Sequence, residues 1–173
     1  MMALAVFDLL SLVAASEGRV EHRIRIQKEA FLVQWLGLPL FREVHFSYHH
    51  YGPYSRELSE ALHEAVTAGL ILEHVEQGEI TKYAYELTAK GCEFAKKRPA
   101  SPPIVTVVRE LGKEPWRALE LAATALYLGT EESLDGHAAM ERALSLKPAC
   151  TPHRSAAEAI IQTLSSQRVE ASA

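Results

Sequence analysis

Cysteine is scarce in this chain of 173 residues: Cys92 and Cys150 are the two present, and they stand far apart. Their spacing fits no metal-binding pattern, so free thiols in a reducing cytoplasm are expected. Positive charge is short as well. The 18 Lys and Arg face 22 Asp and Glu, a formal charge of −4, which argues against a protein built mainly to grip phosphates. No run approaches the roughly 20 apolar residues of a membrane span. The apolar start has no basic segment before it and is interrupted by Asp8, so it reads as a buried helix rather than a signal peptide. Also missing are a Gly-x-Ser-x-Gly elbow, a P-loop, a Gly-x-Gly-x-x-Gly loop and a His-Glu-x-x-His helix. Nothing places a histidine base beside Cys92. Catalysis is not expected, and no cofactor is implied.

What is present is ordinary soluble globular composition, with 48% apolar and 23% charged residues, long enough for a sizeable core. One stretch stands out: His45-Phe-Ser-Tyr-His-His-Tyr-Gly-Pro-Tyr-Ser55. It gathers Tyr48, Tyr51, Tyr54 and three histidines around Gly52-Pro53, which forces a turn because proline fixes its own φ and restricts the residue before it. Ser55 can then cap a helix starting at Arg56.

The pattern before this corner is helical. Residues 3–16 carry Phe7, Leu10 and Val13 at helical spacing, and Glu17-Gly18 ends the run. A second helix is expected from His22 to Leu36, with Ile24, Phe31, Leu32 and Trp35 on one face and Arg23, Arg25, Lys28 and Glu29 on the others. After the corner comes a third helix, Arg56 to Ala68, with Leu58, Leu62 and Val66 inward. Two strand-like runs follow, Leu70–Glu76 and Glu79–Leu87, around a two-residue Gln77-Gly78 turn. Thr88 caps a short helix to about Lys97. Residues 99–103, Pro-Ala-Ser-Pro-Pro, read as a linker. Beyond them the pattern is purely helical: a seam of Trp116, Leu119, Ala123 and Leu126, then Leu134 to Leu146, then Pro152 to Ser165. The expected class is mainly α, a winged-helix-like core with one β-hairpin and a C-terminal helical extension. Residues 1–98 form the core part, 104–168 the extension packed on it, and 169–173 a disordered tail.

Several motifs resemble the YwgA-like branch of the Panacea (SocA-antitoxin-like) domain. They are Arg23 with Gln27-Lys28, the turn Tyr48-His-His-Tyr-Gly-Pro-Tyr-Ser55, Gly69-Leu-Ile71 and Leu87-Thr-Ala-Lys-Gly91. Leu119-Glu-Leu-Ala-Ala-Thr-Ala-Leu-Tyr-Leu128 and Lys147-Pro148 are similar to its C-terminal part. The resemblance covers roughly residues 4–164. It implies a mostly helical, winged-helix-like domain and a role in toxin neutralisation or regulated protein–protein contact. It also marks Arg23, Gln27, Lys28, Tyr48, His49, Tyr51, Gly52, Pro53, Tyr54 and Ser55 as signature or interaction residues.

Each candidate has a plainer reading. The tyrosines offer either binding anchors or filling for the junction between the second and third helices, and Tyr54, beside the cap, is expected to be structural. Gln27 is expected to hold the corner loop through its backbone, because an amide both donates and accepts. Lys28 is expected to be exposed and dispensable for folding. His45, His49, His50 and His63 invite a metal, but adjacent histidines on an extended segment point to opposite faces, so no metal site is expected. The third helix carries Glu57, Glu60 and Glu64 against Arg56, and each would meet phosphate if this helix entered DNA. Basic residues cluster instead at Arg19, Arg23, Arg25 and Lys28, and at Lys96-Lys-Arg98. A protein partner, a toxin being one candidate, is therefore favoured over DNA, and no membrane partner is expected.

Overall fold

In the computed structural model, residues 2–50 and 52–172 are described, apart from the side chains of 169–172. The first helix, α1 (Leu4–Ala15), leads through strand β1 (Arg19–Glu21) to α2 (Arg23–Trp35). The corner contains β2 (Ser47–His49) and β3 (Gly52–Tyr54), and α3 (Arg56–Thr67) follows. The long hairpin is β4 (Ile71–Glu76) and β5 (Lys82–Leu87), succeeded by α4 (Ala89–Ala95) and α5 (Pro102–Gly112). The last part comprises α6 (Trp116–Glu131), α7 (Gly136–Leu146), a 3-10 turn over Pro148–His153 and α8 (Arg154–Ser172). The chain is thus mainly α, with a β-hairpin and a C-terminal helical part.

Local chemistry accounts for most of the boundaries. Glu17 and Gly18 take positive φ and end α1. Ser55 caps α3 by accepting from the Leu58 amide at 3.2 Å, and Thr88 caps α4 by accepting from the Gly91 amide at 3.0 Å. Gly91 is required by a close approach: a Cβ there would collide with the Leu70 carbonyl.

Strands also form outside the expected hairpin. β1 pairs antiparallel with β5, giving a three-stranded sheet in the order β1-β5-β4, while β2 and β3 form a separate small ribbon. The hairpin turn differs too. Glu76 pairs with Lys82, so residues 77–81 form the loop in place of a two-residue turn at Gln77-Gly78. A tight two-residue turn demands positive φ, which Gln resists, and Ile80 is left at the tip, 79% exposed.

The last helices share one core with the first. A single cluster of buried apolar residues runs from Val6 and Leu9 through Phe31 and Leu58 to Leu119, Ala157 and Leu164. α6 packs against α2, α7, α8 and β3, and the whole run Ala118–Ala125 is buried. Its seam residues Trp116 and Leu126 are half-buried, because the helix is covered on several sides rather than along one stripe. The expected linker is partly helix: Pro102 opens α5, where its missing N–H costs nothing. α8 continues to Ser172, through most of the stretch expected to be a disordered tail, and Ala173 lies outside the described residues. Among the described residues no helix is long and apolar enough to cross a membrane.

Candidate functional site

The corner is held from beneath by α2. The Gln27 side chain pairs with Ser55 as a strand would: its Nε2 donates to the Ser55 carbonyl at 2.9 Å, and its Oε1 accepts from the Ser55 amide at 2.8 Å. All four atoms are buried, where an unmet amide or carbonyl costs about 1–3 kcal/mol. The expected clamp is therefore present, and it satisfies both backbone groups of the residue that caps α3.

Lys28 departs from expectation. It is 1% exposed, and its Nζ donates to the Pro53 carbonyl at 2.8 Å. α6 and the corner strand β3 both pack on α2, and Lys28 lies beneath them rather than on a solvated face. Burial pulls its ammonium down to about 7, with Glu120 opposing the shift and Lys147 adding to it.

Two further charged groups complete the support. Lys147, just past α7, donates to the His50 carbonyl at 2.8 Å and pairs with Glu120 of α6 at 2.9 Å. The side chains of both are almost fully buried. Two lysines thus reach the corner backbone, at residues 50 and 53, from distant parts of the chain, and one buried carboxylate offsets their charge. Cys150 lies in the same neighbourhood, and burial, with Glu120 second, pushes its thiol up. Neither Lys147 nor Glu120 is among the site residues expected from the sequence. The available signal was a lone glutamate inside the apolar run Ala118–Ala125.

The turn itself explains its glycine. Gly52 sits at φ +89°, and a Cβ there would collide with the buried Thr124 hydroxyl, which has no hydrogen-bond partner among the described residues. Pro53 pairs with Tyr48 across the ribbon and is buried. Tyr54 is half-buried and its hydroxyl donates to Ser59 at 2.9 Å, a structural placement. Tyr48 is exposed, its ring 6.3 Å from that of Tyr127. Tyr51 lies outside the described residues.

His45, His49, His50 and His63 are exposed. His49 ends β2 while His50 belongs to the turn, so their rings meet edge-on at 5.0 Å instead of pointing to opposite faces. His49 also lies 5.0 Å from the Tyr54 ring. Among the described residues no group of three or more His, Cys, Asp or Glu converges to hold a metal.

Arg23 is tied to the sheet. Its Nε donates to the buried Tyr85 hydroxyl at 2.7 Å, its guanidinium lies 3.8 Å over the Tyr83 ring, and Nη2 reaches Glu73 at 3.4 Å. Burial pushes the Tyr85 hydroxyl above its ordinary range. Between α2, α3, the corner and this sheet lies a cavity of about 510 Å³, and Arg23, Gln27 and Lys28 all line its α2 wall. Arg23, Gln27, Lys28, His49 and Tyr54 therefore line one cavity, while Tyr48, Gly52, Pro53 and Ser55 lie outside it. A larger cavity of about 760 Å³ lies on the other side of α2, beside α5, with Arg25 and Glu29 at its wall and no corner residue.

No protein-family model matches the chain. Among curated proteins it is similar to the uncharacterized protein YwgA of Bacillus subtilis (strain 168), at 26% identity over 137 residues, which cover 78% of this chain and 80% of that protein. That similarity supports a YwgA-like relationship for the greater part of the chain.

Proposed function

We propose that this chain is a non-catalytic, regulatory protein-interaction module, antitoxin-like or adaptor-like, on a winged-helix-like core of the Panacea (SocA-antitoxin-like) kind, acting in the cytoplasm. The order α1-β1-α2-α3-β4-β5, interrupted by the β2-β3 ribbon between α2 and α3 and with β1 beside β5, favours the winged-helix reading. The observation that carries the functional reading is where the basic side chains go. Arg23 is engaged through Nε by Tyr85 and through Nη2 by Glu73, which leaves only Nη1, and Arg25 donates to the carbonyls of Leu111 and Glu114. Lys28 is buried on Pro53, Arg19 faces Glu21 and Glu86, and Arg98 faces Asp8. The cluster that could have met phosphate is mostly engaged inside the chain.

The outer face of α3, by contrast, presents Glu57, Glu60 and Glu64 to solvent, with Arg56 paired to Glu60 at 2.9 Å. An acidic exposed helix suits a partner with basic groups and repels a nucleic-acid backbone. A DNA-binding regulator remains the alternative reading, because winged-helix shape serves both classes.

The test is a pair of titrations, one with labelled duplex DNA and one with the protein encoded beside this chain, each across a salt series. A protein complex that survives moderate salt and weakens about tenfold when Glu57, Glu60 and Glu64 are all replaced by Gln supports the proposal. Tight, sequence-selective duplex binding that falls steeply with salt would overturn it.

A further inference from the structure

We propose that the cavity between α2, α3 and the corner binds a small amphipathic carboxylate, with Arg23 as the anion anchor. This goes beyond the interaction reading and does not depend on it. The cavity volume, about 510 Å³, lies in the range of small-molecule sites, and residues of six elements, α2, β2, β3, α3, β4 and β5, bound it. The lining is mixed: Ile24 and Ile26 of α2 and Leu58, Leu62 and Val66 of α3 are apolar, while Arg23, His49 and His63 are polar. That composition suits a ligand with an apolar body and a polar head.

The sign of the head follows from which groups are already used. The Gln27 amide is occupied on both sides by Ser55, and Lys28 donates to Pro53. The Tyr54 and Ser59 hydroxyls pair with each other. Arg23 differs. Tyr85 takes its Nε, Tyr83 supports its flat face, and Glu73 takes Nη2 through a long 3.4 Å contact. Its Nη1 has no hydrogen-bond partner among the described residues, nor do the ring nitrogens of His49 and His63. Nη1 is therefore a charged donor with capacity left, on a guanidinium held by three contacts before any ligand arrives, and the two imidazoles add a donor or an acceptor according to tautomer. A planar fork held this way matches a carboxylate. Glu73 is the one acidic group lining the cavity, against Arg23 and Lys28, and it disfavours a dianion more than a single carboxylate.

The probes are octanoate, octylamine and octanol, titrated into the intact chain by calorimetry and followed by thermal melting. Octanoate is expected to bind saturably with a Kd below about 1 mM and to raise the melting temperature, with octanol weaker and octylamine weakest. Arg23→Gln should weaken octanoate at least about tenfold while leaving octanol unchanged. Leu62→Trp, which fills the cavity and keeps Arg23, should abolish binding of both, and circular dichroism reports whether each variant folds. Absence of saturable octanoate binding, equal binding of octylamine, or octanoate affinity unchanged in whichever variant folds would overturn the proposal.

Discussion

Lys28 and Glu29 follow one another on α2, and each is 1% exposed, yet they face different neighbours. Lys28 faces the corner, where its charge belongs to a group spread over α2, α6 and the segment after α7. Glu29 faces α5, and its partner is local: Arg25, one turn earlier on the same helix, at 3.4 Å. Arg25 then donates to the carbonyls of Leu111 and Glu114 at 3.1 and 2.6 Å, where a cation at the C-terminal end of α5 is favourable. Burial shifts the two groups toward each other: Lys28 down to about 7, Glu29 up to about 7, with Arg25 opposing the latter. The difference lies in what each interaction fixes. On the α5 side, a pair within one helix straps two helices together. On the corner side, two lysines from distant parts of the chain hold the corner backbone, and a carboxylate of α6 offsets their charge.

The largest test of that contrast is Lys28→Ala. It removes the donor of the Pro53 carbonyl and leaves a cavity under the turn, so a loss of about 3–5 kcal/mol is expected in denaturant unfolding. Lys28→Met keeps the stem and should lose about 1–3 kcal/mol, the cost of the unpaired carbonyl. An unfolding midpoint for Lys28→Ala equal to that of the parent chain would break the corner account. Arg25→Met should cost about 2–3 kcal/mol, because Glu29 and two carbonyls lose their donor. Amide exchange should then rise at the end of α5 while the corner stays protected. Exchange that rises equally at both sites would erase the distinction between the two sides of α2.

The pH dependence separates the two residues without deleting their packing. Glu29 ionises near 7 in the fold against 4.5 ordinarily, so the folded chain holds the extra proton between these values and stability falls as pH rises through that window. Lys28 titrates near 7 against 10.5 ordinarily, so the unfolded chain holds the extra proton and stability rises from 7 toward 10.5. Together they place a minimum in their joint contribution near pH 7. Glu29→Gln should flatten the acid side and Lys28→Met the alkaline side, read as differences from the parent chain in melts across pH. The smallest effect is that of Glu29→Gln at pH 7, under about 1 kcal/mol, since an amide keeps the Arg25 contact and removes a buried charge.

Much of the corner is legible in the residues themselves. Gly52-Pro53 marks the turn, Ser55 the cap and Gln27 the clamp, because each of these rests on a few atoms whose chemistry forces a local arrangement. The burial of Lys28 is not legible for a general reason: lysine is almost never fully buried without partners, and its partners stand far away in sequence. The Pro53 carbonyl is 25 residues on, and the His50 carbonyl lies 97 residues from Lys147.

Periodicity, caps and turn residues placed the main helices and the long hairpin from the sequence by itself, since those signals act over a few neighbouring residues. The three-residue strands β1, β2 and β3 are too short to carry a period, and β1 exists because β5 offers it an edge more than 60 residues later. α5 escaped notice for a related reason, its start being hidden among prolines that read as a linker. The burial of Lys28, Glu29, Glu120 and Lys147, and the meeting of Arg23, Gln27 and Lys28 at one cavity, were decided by the tertiary structure. Whether a charge can leave water depends on which opposite charges and carbonyls the fold brings within hydrogen-bond reach, and no local pattern encodes that.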